Sequence, residues 1–318
     1  MAFLFNSITI IIKQNNLAAF FIAASGVILF STKAVIIKLA YQYDVDAITL
    51  LLFRMLFSLP FYLIIWALRR KEWHRNPLST KQKFAIGFLG VIGYYLASFF
   101  DFKGLTLITA SLERLILFSY PTVVLILSFI FLKKKITKAQ VVSIFITYLG
   151  IAIIFLNKGG ITAGSSVDVL WGSIFVGISA ITYAIYLVGS NSLIAKVGTV
   201  RLTTFSMIVS CTVVVLHYLL TTDSMLFGYQ PEVYWLSFLM AVVATVIPSF
   251  LINEGIQRIG ASNVSIIGSL GPVSTITLSM IFLGEMLTLI QFGGALIIIS
   301  GVAIISLTKR YPSSNAKL

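Results

Sequence analysis

The chain has 318 residues, of which 58% are hydrophobic and only 10% are charged. A soluble domain usually carries about a quarter charged residues, so this composition excludes an ordinary soluble enzyme or binding domain. The net charge of +13 would fit a nucleic-acid-binding protein, but the basic residues fall mostly in short loops between apolar segments, where they fix membrane orientation. We therefore expect a protein of the lipid bilayer with no nucleic-acid partner.

Apolar segments of about 20 residues follow one another along the chain, each long enough to cross a ~30 Å hydrocarbon layer. They predict an all-α polytopic membrane protein with ten transmembrane helices. The predicted spans are 17–39, 47–68, 84–102, 105–132, 139–156, 169–190, 202–221, 234–253, 260–283 and 289–308. Residues 1–16 hold only a short apolar run and no signal-peptide cleavage site, so we interpret them as a frayed or interfacial N-terminal segment.

The distribution of basic residues predicts the orientation of these spans. With the N-terminus inside, seventeen basic residues fall in cytoplasmic segments, whereas the outer loops hold two, Lys103 and Lys158. Such an excess follows the positive-inside rule. We expect a cell (inner) membrane protein with both its N-terminus and its C-terminal tail, 309–318, in the cytoplasm.

The two halves of the chain repeat one another at a shift of 151 residues. GLTLITAS (104–111) then falls on GIQRIGAS (255–262), and 20 of 55 positions are identical between 104–158 and 255–309. The repeats are predicted at 17–156 and 169–308, joined by a linker at 157–168 that is rich in Gly and Ser. Because each holds five spans, an odd number, the second inserts upside down, an architecture typical of secondary transporters.

These motifs resemble the EamA type of the drug/metabolite transporter superfamily. Each half has a Gly, then Ala-Ser, then a Pro in the next span, and LGE (283–285) follows in the second half. The resemblance implies two inverted five-helix repeats around a central cavity that opens alternately to each side. It also implies transport of amino acids, other metabolites or drugs, often outward. Lys133 and Lys134 replace the Gly-Glu in the first half, so any role of Glu285 is not expected to be symmetric.

Five ionisable residues interrupt the apolar spans, and an ionised side chain at the bilayer centre costs at least ~2.5–3.5 kcal/mol, which makes function its default interpretation. At 1.5 Å per residue, Lys33, Arg54 and Glu113 lie at nearly one level, about 5–7 Å from the centres of their spans. We expect them and Arg114 to form one wall of a polar cavity open toward the outside. Arg54 and Lys33 are the expected partners of Glu113, whereas Asp101 is expected near the outer surface, within reach of Arg114.

The second half offers uncharged polar groups opposite this wall. The predicted substrate-binding residues are Lys33, Arg54, Glu113, Arg114, Tyr120, Asn253 and Asn263. A site of mixed charge fits a zwitterion or a small organic anion better than a bare cation. The alternative is a buried ion network that only joins helices. Three prolines are predicted hinges, since each removes a backbone hydrogen bond, although ordinary packing kinks would also explain them. They are Pro121, Pro248 and Pro272.

The leading hypothesis is a permease, a secondary transporter that exports small polar or amphipathic metabolites and is coupled to protons through Glu113. An intramembrane enzyme that uses Glu113 and Asp101 on a lipid-linked substrate is an alternative, and a non-transporting scaffold is another. The sequence has no HExxH, P-loop or Ser-His-Asp spacing, and Cys211 is its only cysteine. We therefore expect no enzyme activity, no cofactor and no metal site.

Overall fold

The computed structural model describes residues 2–133, 136–156, 165–222, 226–268, 270–285 and 288–308. Within them every regular element is helical. The helices are α1, Ala2–Tyr41; α2, Ala47–Arg75; α3, Thr80–Leu107; α4, Ala110–Leu132; α5, Lys138–Leu156; α6, Ser166–Val197; α7, Thr199–Thr221; α8, Pro231–Ile259; α9, Ala261–Ile267 followed by Leu270–Leu283; and α10, Leu289–Thr308.

Seven of these helices are long and apolar enough to cross a membrane, namely α1 from Ala18, α2, α3, α4, α6, α7 and α8. Shorter apolar stretches lie in α5, α9 and α10, at Val141–Gly150, Leu270–Leu283 and Phe292–Gly301. The order of helices follows the ten predicted spans, and the protein is an all-α polytopic membrane protein. Most of the predicted linker, 157–164, and the tail 309–318 lie outside the described residues.

Several helix boundaries have a clear cause in the sequence. The Asp46 side chain accepts hydrogen bonds from the backbone N–H groups of Ile48 and Thr49, both at 3.0 Å, and so begins α2. Ser79 and Ser165 begin α3 and α6 with reciprocal capping boxes, which satisfy N–H groups at a helix start. α1 runs without a break from Ala2, so it includes most of the segment that we interpreted as frayed or interfacial.

The last helices of the two repeats, α5 and α10, pack closely against each other. A Cβ atom added at Gly150 would lie 2.7 Å from the carbonyl oxygen of Gly294 and 2.7 Å from Cγ1 of Ile298. Small residues at such a contact let helix backbones approach closely within a membrane.

Four helices contain a π turn or a break, and these irregularities occur at equivalent places in the two repeats, in α3 and α8 and in α4 and α9. π-helical turns occupy Gly90–Leu96 of α3 and Val242–Val246 of α8, and such turns are frequent at functional sites. α4 is interrupted after Leu117, and its second part begins at Tyr120, one residue before Pro121. α9 has its break before Leu270, two residues ahead of Pro272, and Pro248 follows the π turn of α8. All three prolines thus lie beside an irregularity, and their role as hinges stays a prediction.

Candidate functional site

Four ionisable side chains meet in the interior, and we call them the charged cluster. They are Lys33 of α1, Asp101 of α3, and Glu113 and Arg114 of α4. The Lys33 ammonium nitrogen lies 2.6 Å from Oδ2 of Asp101, and the two side chains are only 4% and 1% exposed. A buried ion pair of this kind needs close contact, because removal of both charges from water is costly.

Glu113 is the least satisfied member of the charged cluster. It is 0% exposed, and no donor group of another described residue reaches its oxygens; its one side-chain hydrogen-bond contact is with the Asp101 carboxyl group. Its charged neighbours are Asp101, Lys33 and Arg114. Buried polar groups are nearly always hydrogen-bonded, so an exception calls for an explanation, such as a bound proton or a ligand.

Arg114 is held by α1 rather than by an acidic partner. Its Nη2 donates a hydrogen bond of 2.7 Å to the Ser31 hydroxyl, and its guanidinium carbon lies 5.7 Å from the centre of the Phe30 ring. Nζ of Lys33 lies 4.7 Å from the same ring. A Cβ atom at Gly271 would lie 2.1 Å from Nη2 of Arg114, so this glycine of α9 leaves the space that the guanidinium occupies.

Arg54 connects the two repeats and does not bind Glu113 as we had expected. Its Nε donates to the Thr245 hydroxyl at 2.6 Å, and its Nη1 donates to the Ser98 hydroxyl at 3.0 Å. Thr245 belongs to the π turn of α8, whereas Ser98 lies in α3. Asp101 is a charged neighbour of Arg54. The expected Arg54–Glu113 pair is therefore wrong, and Asp101 is the carboxylate beside Arg54.

The expected surface placement of Asp101 is also wrong, since the residue is 0% exposed. The predicted third span ended at residue 102, but α3 continues to Leu107. At 1.5 Å per residue, Asp101 thus lies about 9 Å inside the end of its helix. At that depth its ion-pair partner is Lys33 rather than Arg114.

A second polar group, the tyrosine–asparagine cluster, consists of Tyr94 of α3, Tyr186 of α6, Thr203 of α7 and Asn253 of α8. The Asn253 side chain contacts the Tyr186 hydroxyl through Oδ1 at 2.8 Å and Nδ2 at 2.6 Å. Nδ2 also donates to the Thr203 hydroxyl at 2.8 Å, and the two tyrosine hydroxyls are 2.7 Å apart. Asn253, a predicted substrate-binding residue of the second half, thus joins four helices through a network of uncharged groups.

A narrow cavity of about 20 Å³ adjoins the tyrosine–asparagine cluster, whose Tyr94 and Tyr186 line it. It has room for about one water molecule, so the site is nearly closed in this conformation. Its lining residues are Phe30, Arg54, Tyr94, Tyr183, Tyr186, Ala244, Thr245, Ser249 and Ile252. The Tyr183 ring stacks on Phe30 with centres 5.9 Å apart and lies 5.2 Å from the ring of Tyr120. These rings fill the space beside the charged cluster.

Tyr120 and Asn263 are the two other residues that were predicted to bind substrate. The Tyr120 hydroxyl donates to the backbone carbonyl of Ser265 at 3.3 Å, so it joins α4 to α9. The side chain of Asn263 lies outside the part of the chain that the structure describes. Sequence reasoning missed Ser31, Ser98 and Thr245. Ser98 precedes Asp101 by three positions and so shares its helix face, a signal that could have identified it.

Comparison with known proteins agrees with this architecture. The model of the EamA-like transporter family matches twice, at residues 17–156 and 170–307. The chain is 31% identical over 284 residues to the uncharacterized transporter YcbK of Bacillus subtilis, covering 87% of this chain and 90% of that protein. It is 30% identical over 147 residues to the uncharacterized inner membrane transporter YicL of Salmonella typhimurium, covering 46% and 48% of the two chains.

A solved crystal structure shares the fold, with a TM-score of 0.71 at 18% identity, over 93% of this chain and 99% of the other. Two family matches that together span most of the chain explain why its irregular helices occur in pairs. The chain belongs to the EamA-like transporter family and is a multi-pass membrane transporter.

Proposed function

We propose that the protein is a secondary transporter that moves small zwitterionic or anionic metabolites, such as amino acids, by alternating access around the cavity. We also propose that Glu113 carries a coupled proton. The observation that carries this proposal is the fully buried Glu113 carboxyl group, which makes its side-chain hydrogen bond with the Asp101 carboxyl group, a contact that requires a proton on one of the two. An ion network that only joins helices would be expected to pair that carboxylate.

Arg54 supplies the contact for a substrate carboxylate. It lines the cavity, and its two hydrogen bonds go to hydroxyl groups, which are neutral acceptors. A carboxylate accepts stronger, charge-assisted bonds from a guanidinium, often two at once. A substrate carboxylate can therefore replace Thr245 and Ser98 as the partner of Arg54, and the Phe30 and Tyr183 rings would contact its apolar part.

Glu113 supplies the proton site. Its neighbour Asp101 already holds the Lys33 ammonium, so an ionised Glu113 would place a second carboxylate beside that pair. Like charges close together disfavour ionisation of both, and a proton on Glu113 removes the repulsion. Entry of an anionic substrate next to Arg54 adds negative charge and favours the protonated form. Substrate binding and proton uptake are thereby linked.

Flux in proteoliposomes tests both parts of the proposal. Glu113→Gln mimics the protonated carboxyl, so it should keep substrate–substrate exchange and lose the acceleration caused by an imposed pH gradient. The control is Glu254→Gln, which removes a carboxylate that pairs with Arg258 at the exposed end of α8. If Glu113→Gln responds to the gradient like the parent, Glu113 is not the proton carrier.

Arg54→Ala separates binding from structure. As a substrate contact, Arg54 should be needed for uptake of labelled amino acids and organic anions, while the variant keeps nearly parental thermal stability. A purely structural Arg54 would give a less stable protein with normal activity in the folded fraction. That second outcome would overturn the proposed binding role.

A further inference from the structure

A groove of about 490 Å³ lies beside the basic loop at 69–83, and its lining includes no residue of the charged cluster. α2, α3 and α7 form its walls. We call it the basic groove and define it by Trp66, Arg70, Trp73, Lys83, Arg201 and Phe205. The transport proposal does not use any of these residues.

The walls of the basic groove are largely apolar and aromatic. Ile86, Phe205 and Val209 line its deeper part, and the Phe205 ring lies 5.2 Å from the ring of Trp73. Trp66 is 36% exposed at the rim. Tryptophan is enriched where a membrane protein meets lipid headgroups, because its ring is apolar and its N–H is polar.

Three cations converge on the same groove. The guanidinium carbons of Arg70 and Arg201 lie 5.6 Å and 5.7 Å from the rings of Trp66 and Trp73, respectively. Arg201 donates two hydrogen bonds to backbone carbonyls, of Asn76 and Trp73, but its buried Nε has no partner in the described residues. Lys83 adds a third positive charge; no acidic residue is among the lining residues of the groove, and the acidic neighbour of Arg201 is Glu72.

We infer that the basic groove binds an anionic phospholipid. Its phosphate would contact Arg70, Lys83 and Arg201, and one acyl chain would lie along Ile86, Phe205 and Val209. Basic pockets between transmembrane helices near the cytoplasmic leaflet suit anionic headgroups. The apolar wall explains the choice of a lipid over free phosphate, since a small hydrated anion would gain nothing from it.

Quenching of tryptophan fluorescence by lipids with brominated acyl chains tests this inference on the full-length protein. Trp171 and Trp235, which are 52% and 66% exposed, are first replaced by Phe so that Trp66 and Trp73 report. In mixed bilayers, brominated phosphatidylglycerol should quench with about threefold or greater preference over brominated phosphatidylcholine. Equal quenching by the two lipids would overturn the proposal.

A pair of charge-matched variants locates the effect. Arg70→Gln with Lys83→Gln should abolish the preference, whereas Lys71→Gln with Lys81→Gln should keep it. Lys71 and Lys81 lie on the same two helices and are exposed, but they do not line the groove. Equal loss in both variants would mean diffuse attraction to the surface and would overturn the site. Loss of the parent's preference on addition of millimolar inorganic phosphate would identify a free anion as the ligand and would also overturn it.

Discussion

The first residues of α4 and α9 occupy equivalent positions in the two repeats, yet they are held in different ways. At the start of α4, Glu285 accepts hydrogen bonds from the backbone N–H groups of Ala110 at 3.0 Å and Ser111 at 3.1 Å, and from the Ser111 hydroxyl at 2.5 Å. At the start of α9, the Ala261 N–H donates one bond of 3.1 Å to the Asn191 side chain. We call these places the Glu285 end and the Asn191 end.

The two ends lie on opposite sides of the bundle, because α9 begins at Ala261 and finishes at Leu283, about 33 Å further along its axis. The Glu285 end also has a cation: Lys38 donates to the carbonyls of Leu105 at 3.2 Å and Ile108 at 3.3 Å, with Glu285 as its charged neighbour. A carboxylate at a helix N-terminus is favourable, and charge-assisted bonds are the stronger kind. The two repeats share their architecture, but the Glu285 end is held by more and stronger hydrogen bonds than the Asn191 end. The Asn191 end should therefore open more readily.

The largest expected effect is that of Glu285→Ala, which removes three hydrogen bonds at once. One hydrogen bond to a charged group contributes about 1.5–3 kcal/mol, so the Glu285 end should open at least about 10- to 150-fold more often. A cysteine at position 110, where Ala110 is 0% exposed, should react correspondingly faster with a small thiol reagent. Purified protein in nanodiscs with Cys211→Ala gives the measurement.

Glu254→Ala is the control for that experiment, since it removes a partly exposed carboxylate whose ion-pair partner among the described residues is Arg258 of the same helix. It should leave the reaction at position 110 unchanged. An unchanged rate in Glu285→Ala itself would show that these bonds do not keep this end closed.

A smaller effect is expected for Asn191→Ala. It removes one neutral hydrogen bond, which contributes about 1 kcal/mol, so a cysteine at position 261 should react only about fivefold faster. Ala261 is 2% exposed and is the repeat equivalent of Ala110, which makes the two reporters directly comparable. A larger increase than that produced by Glu285→Ala at position 110 would reverse the ranking of the two ends.

The smallest effect is expected for Asn191→Asp, which gives the Asn191 end a carboxylate of its own. A negative charge near a helix N-terminus contributes about 0.3–1 kcal/mol, so the reaction at position 261 should slow about two- to fivefold. Slower transport should accompany the tighter closure. A faster reaction would mean that desolvation of the new charge outweighs its bond to the Ala261 N–H.

The sequence predicted much of the fold because a bilayer limits what a chain can do. Hydropathy located the spans, and a shift of 151 residues located the repeats. The prediction failed at the end of α3, where polar residues such as Asp101 and Lys103 suggested the membrane surface. α3 instead continues to Leu107, and the interior supplies Lys33 as a partner for Asp101.

The sequence identified candidate residues of the site but not the side-chain contacts that these residues make. Arg54, Glu113 and Arg114 are buried, at 2%, 0% and 5% exposure, and Arg54 is the one of the three that lines the cavity, so their joint role as a substrate-binding wall stays a prediction. Their partners depend on how each helix is rotated about its axis, which hydropathy does not determine. Thr245, which binds Arg54, belongs to a π turn and had no pattern that would mark it.

The π turn at Gly90–Leu96 also determines the direction, about the axis of α3, in which every later residue of that helix points. Successive residues of an α-helix are offset by about 100°, so deletion of one residue in this turn would swing Ser98 and Asp101 about a quarter of a revolution away from their partners. Ordinary substitutions in the turn would leave that direction unchanged. The segment should therefore tolerate changes of side chain far better than changes of length, and the same holds for Val242–Val246, which aims Asn253 at Tyr186.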